Sequence, residues 1–341
     1  MTEQNQRLAW VDYAKGISII LVVMMHSTLS SEDALHHVGW LHQPIDFAKP
    51  FRIPAFFLIA GLFVSRSIDA DWRSFLDRKV LHFVYFYVLW LTIQFVFRTP
   101  GYIAESGVTG ALHAYLMAFI DPYGTLWFIY LLPLFYLVTR LTQNAPPALV
   151  LLAGAALEIA HIETHWTLID EFAARFVFFY AGYLFSGWIL DQAAKVQSHV
   201  VAALAGLAIW TAVNLWLVES GLAALPFISL GLGFAGAAAV VIVSVGLAQY
   251  RLLEAIRYCG RNSIVIYLAF FLPMAATRVA IVKSGLITDP GTVAALVTLV
   301  AVMVPLLLHW MVRGTSLDFL FERPDRFRLV KRQPLKLQPA E

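Results

Sequence analysis

The chain has 341 residues, of which 60% are hydrophobic and 13% charged, with a formal net charge of +2. Soluble globular domains carry roughly a quarter charged residues, so this composition excludes that class and a nucleic-acid binder, and points to an all-α polytopic membrane protein. The lone Cys259 excludes an internal disulfide and any thiolate-rich metal site.

Ten windows are apolar and long enough to span a bilayer: 14–32, 51–66, 80–98, 123–141, 148–162, 168–188, 199–218, 225–248, 262–282 and 291–312, the second and fifth being short. A cytoplasmic N-terminus puts eighteen of the 24 Lys and Arg residues inside and leaves Lys49, Arg52, Arg98, Arg175, Arg278 and Lys283 outside. That asymmetry predicts cytoplasmic N- and C-termini and an even number of spans. The first window leads into Ser, Glu and His with no small-residue cleavage site, so it is expected to remain as the first helix. Residues 1–312 read as one membrane-embedded domain, and 313–341 as a basic cytoplasmic tail facing anionic headgroups. The sequence shows no internal repeat, P-loop or dinucleotide fingerprint.

The first helix carries Asp12-Tyr13-Ala14-Lys15-Gly16 and, eleven residues after Lys15, His26. Eleven residues are close to three whole turns, so both groups are expected on one helix face about 16 Å apart, with Asp12 nearly in line. Ionisable groups are costly within a membrane and mark function there. A face with a cation at one end and an imidazole at the other suits a long ligand with an anionic end, the shape of an acyl-coenzyme A. The first outer loop carries His36, His37, His42 and Asp46; no regular helical spacing puts the three histidines on one face and no cysteine joins them, so they read as a wetted loop rather than a zinc site.

Phe51-Arg52-Ile53-Pro54 opens the second helix, with Pro54 in the first turn and Ala60-Gly61 permitting close helix packing. Arg52, at the outer mouth, is either a headgroup anchor or a substrate contact. The inner loop ends in Arg78 and Lys79, followed by His82, where donor phosphates can be met. After Arg98 an outer segment includes Ala111 to Ile120, expected along the interface. Trp127 and Tyr130 read as interface aromatics. Glu158 and His161 share a face, and Arg175 lies one turn into the sixth helix near Asp170 and Glu171. Helices seven and eight read as scaffold, and Asn262 or Ser263 is expected to cap helix nine.

Taken in order, several stretches resemble the integral membrane acyltransferase-3 family, in particular its short branch that includes sugar O-acetylases. They are Asp12 to Gly16 with ten residues between Lys15 and His26; Phe51 to Gly61; Leu126-Trp127-Phe128; Phe178-Phe179-Tyr180-Ala181-Gly182-Tyr183; and Gly260-Arg261-Asn262-Ser263-Ile264-Val265-Ile266-Tyr267-Leu268. The resemblance implies a multi-pass protein of the bacterial inner membrane. It implies transfer of an acyl group, commonly acetyl, from acyl-CoA to a sugar, glycan, lipid-linked or other acceptor, with no tightly bound cofactor or metal. His26 is then the catalytic histidine, as general base or acyl relay. Lys15, with Arg78, Lys79 and His82, lies on the donor side, and Arg52, Trp127 and Arg175 on the acceptor side. Asp12, Gly61 and Asn262 support them.

The chain departs from the family pattern in three places. Lys79 and His82, with Arg78 adjacent, stand where many members carry a basic pair. Phe270 stands where relatives often have a histidine. Leu132 and Pro133 stand where longer members place carboxylates. A transporter or flippase is the alternative for a ten-helix chain with a midplane histidine; the absence of paired halves and of broken helices at matching positions weighs against it.

Overall fold

The computed structural model describes residues 3–122 and 124–330, so the basic tail beyond residue 330 lies outside the described residues. The described residues form helices and turns with no strand. In order, the helices are α1 (Glu3–Leu35), α2 (His42–Ala48), α3 (Arg52–Gly61), α4 (Ser65–Ile68), α5 (Trp72–Leu76), a π-helical turn (Asp77–Leu81), α6 (His82–Met117), α7 (Trp127–Leu141) and α8 (Pro147–Ile159). There follow α9 (Thr167–Leu184), α10 (Ser186–Val196), α11 (Val200–Glu219), α12 (Ile228–Tyr250), α13 (Glu254–Arg261), α14 (Ser263–Ala269), α15 (Phe271–Ser284) and α16 (Pro290–Val312).

A helix occupies each apolar window. Five segments are long and apolar enough to cross a membrane: Ala9–Leu35, Trp72–Met117, Val200–Glu219, Ile228–Tyr250 and Pro290–Val312. Two more spans result if α9 with α10, bent by 75°, and α14 with α15, bent by 54°, each count as one. The remaining three windows hold the shorter apolar helices α3, α7 and α8. Backbone groups in lipid must be satisfied internally, which is why an apolar chain of this length resolves into helices.

Local chemistry sets several boundaries. Pro54 and Pro147 sit in first turns, where a missing N–H costs nothing. Asp71 caps α5 by accepting the Ser74 amide at 2.9 Å, which holds its carboxyl below the usual carboxylate range. The capping role expected of Asn262 is not found: no side chain caps α14, and Asn262 instead donates its amide to the Tyr258 carbonyl at 2.9 Å, closing α13 behind it. Beyond Arg98 the helix runs on through Pro100 and breaks at Gly107, whose φ of 70° lies in the left-handed region.

Helix α1 is the axis of the bundle, packing on α3, α12, α13 and α16. Its closest approach is to α13. A methyl group added at Gly16 would stand 2.0 Å from the Ile256 carbonyl oxygen, and one at Gly260 would stand 1.6 Å from that of Asp12. The Asp12 carboxylate extends this contact by pairing with Arg261 at 3.1 Å and Arg257 at 3.7 Å. A second approach joins α3 to α9, where a methyl at Gly61 would lie 2.1 Å from the Phe179 carbonyl oxygen and one at Gly182 2.1 Å from that of Leu58. Small residues let helix backbones touch where no larger side chain fits.

Residues 313–330 fold back on the bundle. Arg323, 3% exposed, pairs with Asp77 at 2.8 Å, and Asp77 also accepts the Leu329 amide at 2.8 Å. Tyr85 and Trp90 of α6 donate to the carbonyls of Phe319 and Leu320 at 2.9 and 3.0 Å. The start of this segment is therefore docked structure and not a free basic arm.

Substituting Gly260→Ala or Gly182→Ala forces backbones apart and is expected to cost roughly 1–3 kcal/mol or more. Gly206→Ala, where an added methyl meets nothing within 4 Å, is the control expected to leave stability unchanged. Thermal unfolding in detergent measures the difference.

Candidate active site

Two chambers lie along the interval between Lys15 and His26. The basal chamber, about 350 Å³, is lined by Lys15 of α1, Ile59, Ala60 and Phe63 at the end of α3, Lys79 of the π-helical turn, Phe83 of α6, Tyr136 of α7 and Ser263 of α14. The distal chamber, about 180 Å³, is lined by Val22, Met25 and His26 of α1, Arg52 and Ile53 of α3, Thr125 and Trp127 at the start of α7, and Glu171 and Arg175 of α9. Phe56, Phe128 and Tyr267 border both. Helix α3 runs the length of the pair: Arg52 faces the distal chamber, Phe56 one turn on forms the boundary, and Ile59 and Phe63 reach the basal one, the spacing of a single helix face.

The chambers differ in charge. The basal one presents two lysines and no carboxylate. The Lys15 ammonium lies 5.6 Å from the Phe63 ring centroid and that of Lys79 lies 4.7 Å from Tyr136, contacts that hold a cation without neutralising it. The distal chamber sets Arg52, Arg175 and His26 against the single carboxylate Glu171, which Arg175 binds at 3.0 Å. Arg52 donates Nη1 to the Ile45 carbonyl at 2.8 Å, while its buried Nε has no hydrogen-bond partner among the described residues. The His26 ring is half-buried and lies 5.6 Å from that of Phe270.

A third cavity, about 540 Å³, shares Glu171 and Arg175 with the distal chamber and opens past Asp46, Glu158, His161, Glu163 and Asp170. His161, in the turn after α8, contacts Ser229 at 3.2 Å, and its backbone amide donates to the Glu158 carbonyl at 3.2 Å. At the start of α2, within the stretch expected as a wetted loop, His42 is held between Glu32 at 2.8 Å and Asp46 at 3.2 Å.

The structure thus brings Lys15 together with Lys79, and His26 together with Arg52, Trp127 and Arg175. Arg78 is exposed and His82 packs edge-on against Phe83 and Phe86, and neither lines the basal chamber. Lys79 reaches the chamber through the π-helical turn, whose wider winding redirects side chains relative to an α-helix, and the Asp77–Arg323 pair anchors that turn. The passage expected to be shared by Lys15 and His26 is divided by rings. Phe56, Phe128, Tyr267 and Glu171 did not stand out as site residues; the available signal was the four-residue spacing of Phe56 from Arg52, Tyr267 from Ser263 and Glu171 from Arg175, and the place of Phe128 beside Trp127.

An acyltransferase domain profile, that of acyltransferase-3, matches residues 8–310. The chain belongs to the acyltransferase-3 family. It is 24% identical over 243 residues to the inner membrane protein YcfT of Escherichia coli K12, covering 64% of this chain and 67% of that one. It is 27% identical over 199 residues to the nodulation protein NolL of Sinorhizobium fredii NGR234, covering 57% of this chain and 53% of that one. The chain therefore spans about two thirds of the first relative and about half of the second. No solved structure matches it. As a member of this family it is a multi-pass membrane protein of the acyltransferase type.

Asp77→Ala would leave Arg323 buried and unpaired, at a cost of about 3–5 kcal/mol. Lower thermal stability in detergent and faster proteolysis within residues 313–330 are the expected readouts.

Proposed function

We propose that this acyltransferase takes a small acyl group, acetyl foremost, from acyl-CoA at the cytoplasmic face and passes it to a hydroxyl of a sugar, glycan or lipid-linked acceptor on the far side of a bacterial inner membrane. The supporting observation is the arrangement of two lysines in a chamber lined by no carboxylate on one side of the ring wall, and an imidazole near two arginines on the other. In this reading ten helices cross the membrane with both termini cytoplasmic, so the basal chamber faces the cytosol. The proposed tail from residue 313 lies on that side, its cations near anionic headgroups.

Lys15 and Lys79 meet the donor phosphates. The acceptor enters through the carboxylate-bordered cavity, whose oxygens accept hydrogen bonds from sugar hydroxyls. His26, as a neutral imidazole, removes the proton of the attacking hydroxyl as its oxygen bonds to the thioester carbonyl carbon. The carbonyl oxygen gathers negative charge, and in this reading Arg52, whose Nε has no hydrogen-bond partner among the described residues, receives it. The carbon–sulfur bond then breaks, and the proton held by His26 passes to the departing thiolate, leaving an ester and free coenzyme A. An acyl-histidine relay would use the same residues in two steps, with His26 as the nucleophile.

His26→Ala in proteoliposomes supplied with acetyl-CoA is expected to lower acyl transfer by about 10² or more while membrane abundance stays the same. Full activity in that variant would end the proposal. Replacing Lys15 and Lys79 together with Met is expected to raise the acetyl-CoA KM by roughly tenfold or more, the loss of charge-assisted contacts to phosphate, with a smaller effect on kcat.

A further inference from the structure

The ring wall between the chambers does not belong to either binding surface alone. Phe56 and Phe128 stack with centroids 4.6 Å apart and planes within 10°, and Tyr267 meets Phe128 at 5.5 Å. Tyr267 is fixed: its hydroxyl donates to the Thr125 carbonyl and accepts the Ile129 amide at 3.4 Å, so it ties down the first turn of α7 that carries Phe128. Phe128 is hemmed in further by Phe57 at 4.5 Å. Phe56, the residue before Phe57 in α3, stacks on Phe128 and is the member of the wall whose side chain carries no hydrogen bond and lies outside the first turn of α7.

We propose that Phe56, closing against Phe128 and Tyr267, is the acyl-size filter of this protein: the acyl end of the donor reaches His26 only by displacing that ring. This rests on the acyl-transfer reading above and adds the residue that sets chain length. The lysines that hold phosphates lie on one side of the wall and the imidazole on the other, so the thioester carbonyl has to cross it. Beyond the wall the chamber holds about 180 Å³, against about 350 Å³ on the donor side. An acceptor hydroxyl and a two-carbon acyl group compete for that smaller space. Each methylene added to the acyl chain must find room against rings already in contact, and a single methylene misfit in a tight pocket costs tenfold or more.

The test compares acetyl-CoA with hexanoyl-CoA on the full-length protein in proteoliposomes, with the acylated acceptor measured by mass spectrometry. Phe56→Ala and Phe56→Leu are expected to raise the hexanoyl-to-acetyl rate ratio by about tenfold or more. Phe56→Trp, which thickens the wall, is expected to lower acetyl transfer by about tenfold while the calorimetric affinity for free coenzyme A moves far less. An unchanged ratio in a folded Ala or Leu variant overturns the proposal. If both of those unfold, the Trp variant decides, and acetyl transfer at the wild-type rate in it overturns the proposal equally. Absence of transfer from any acyl-CoA by the wild-type protein would instead remove the acyl-transfer reading on which the filter rests.

Discussion

Backbone contact at two pairs of glycines fixes everything else in this molecule. Gly16 against Ile256 and Gly260 against Asp12 press α1 onto α13, and Gly61 and Gly182 press α3 onto α9. Within a membrane the hydrophobic effect offers little preference for one helix pairing over another, so close van der Waals contact and a few polar ties must specify it. Asp12 adds such a tie to the first pairing through Arg257 and Arg261. With α1 and α3 held in this way, Lys15, His26, Arg52 and Phe56 face a common interior, and that interior is the candidate site.

Charge changes in steps along this interior. The basal chamber is cationic, the distal chamber places two arginines near one carboxylate, and the adjoining cavity is bordered by Asp46, Glu158, Glu163, Asp170 and Glu171 against Lys49 and Arg175. An anionic ligand is favoured at one end and a group rich in hydrogen-bond donors at the other. Glu171 and Arg175, paired at 3.0 Å, belong to both of the last two spaces, so the ion pair that orients Arg175 beside His26 also forms the threshold.

Much of this was legible in the residues. The ten apolar windows each hold a helix, and the eleven-residue interval does set Lys15 and His26 along one interior, because α1 continues as a single helix from Glu3 to Leu35. What escaped the sequence depended on contacts distant in the chain or on irregular backbone. Asp77 and Arg323 are 246 positions apart, and neither stands out locally as a buried partner. Arg140, one of the eighteen cations expected on the cytoplasmic side and within the fourth apolar window, is 6% exposed, donates to the carbonyls of Ile68 and Ala70, and lies over the rings of Trp72 and Phe75, contacts no local pattern announces. Lys79 and His82 stand three residues apart where many members of the family carry a basic pair; a π-helical turn ends between them, and of the two only Lys79 lines the chamber. The ring wall was invisible because Phe56, Phe128 and Tyr267 come from three helices and look like ordinary core residues.

Tyrosine at position 267 shows why the wall is built from mixed parts. A phenylalanine there would fill the same space but leave the Thr125 carbonyl and the Ile129 amide without this partner where α7 begins. Those groups belong to a helix start, where backbone amides lack partners inside the helix. By serving them, the Tyr267 hydroxyl holds the turn that presents Trp127 to the His26 chamber and Phe128 to the wall. One hydroxyl thus ties down both the turn that borders the distal chamber and the ring of Phe128 that closes it. In the filter proposed above, this frame stays rigid so that His26 and Arg52 keep their relation to the reacting carbonyl, while Phe56, a side chain with no polar group, yields to the donor.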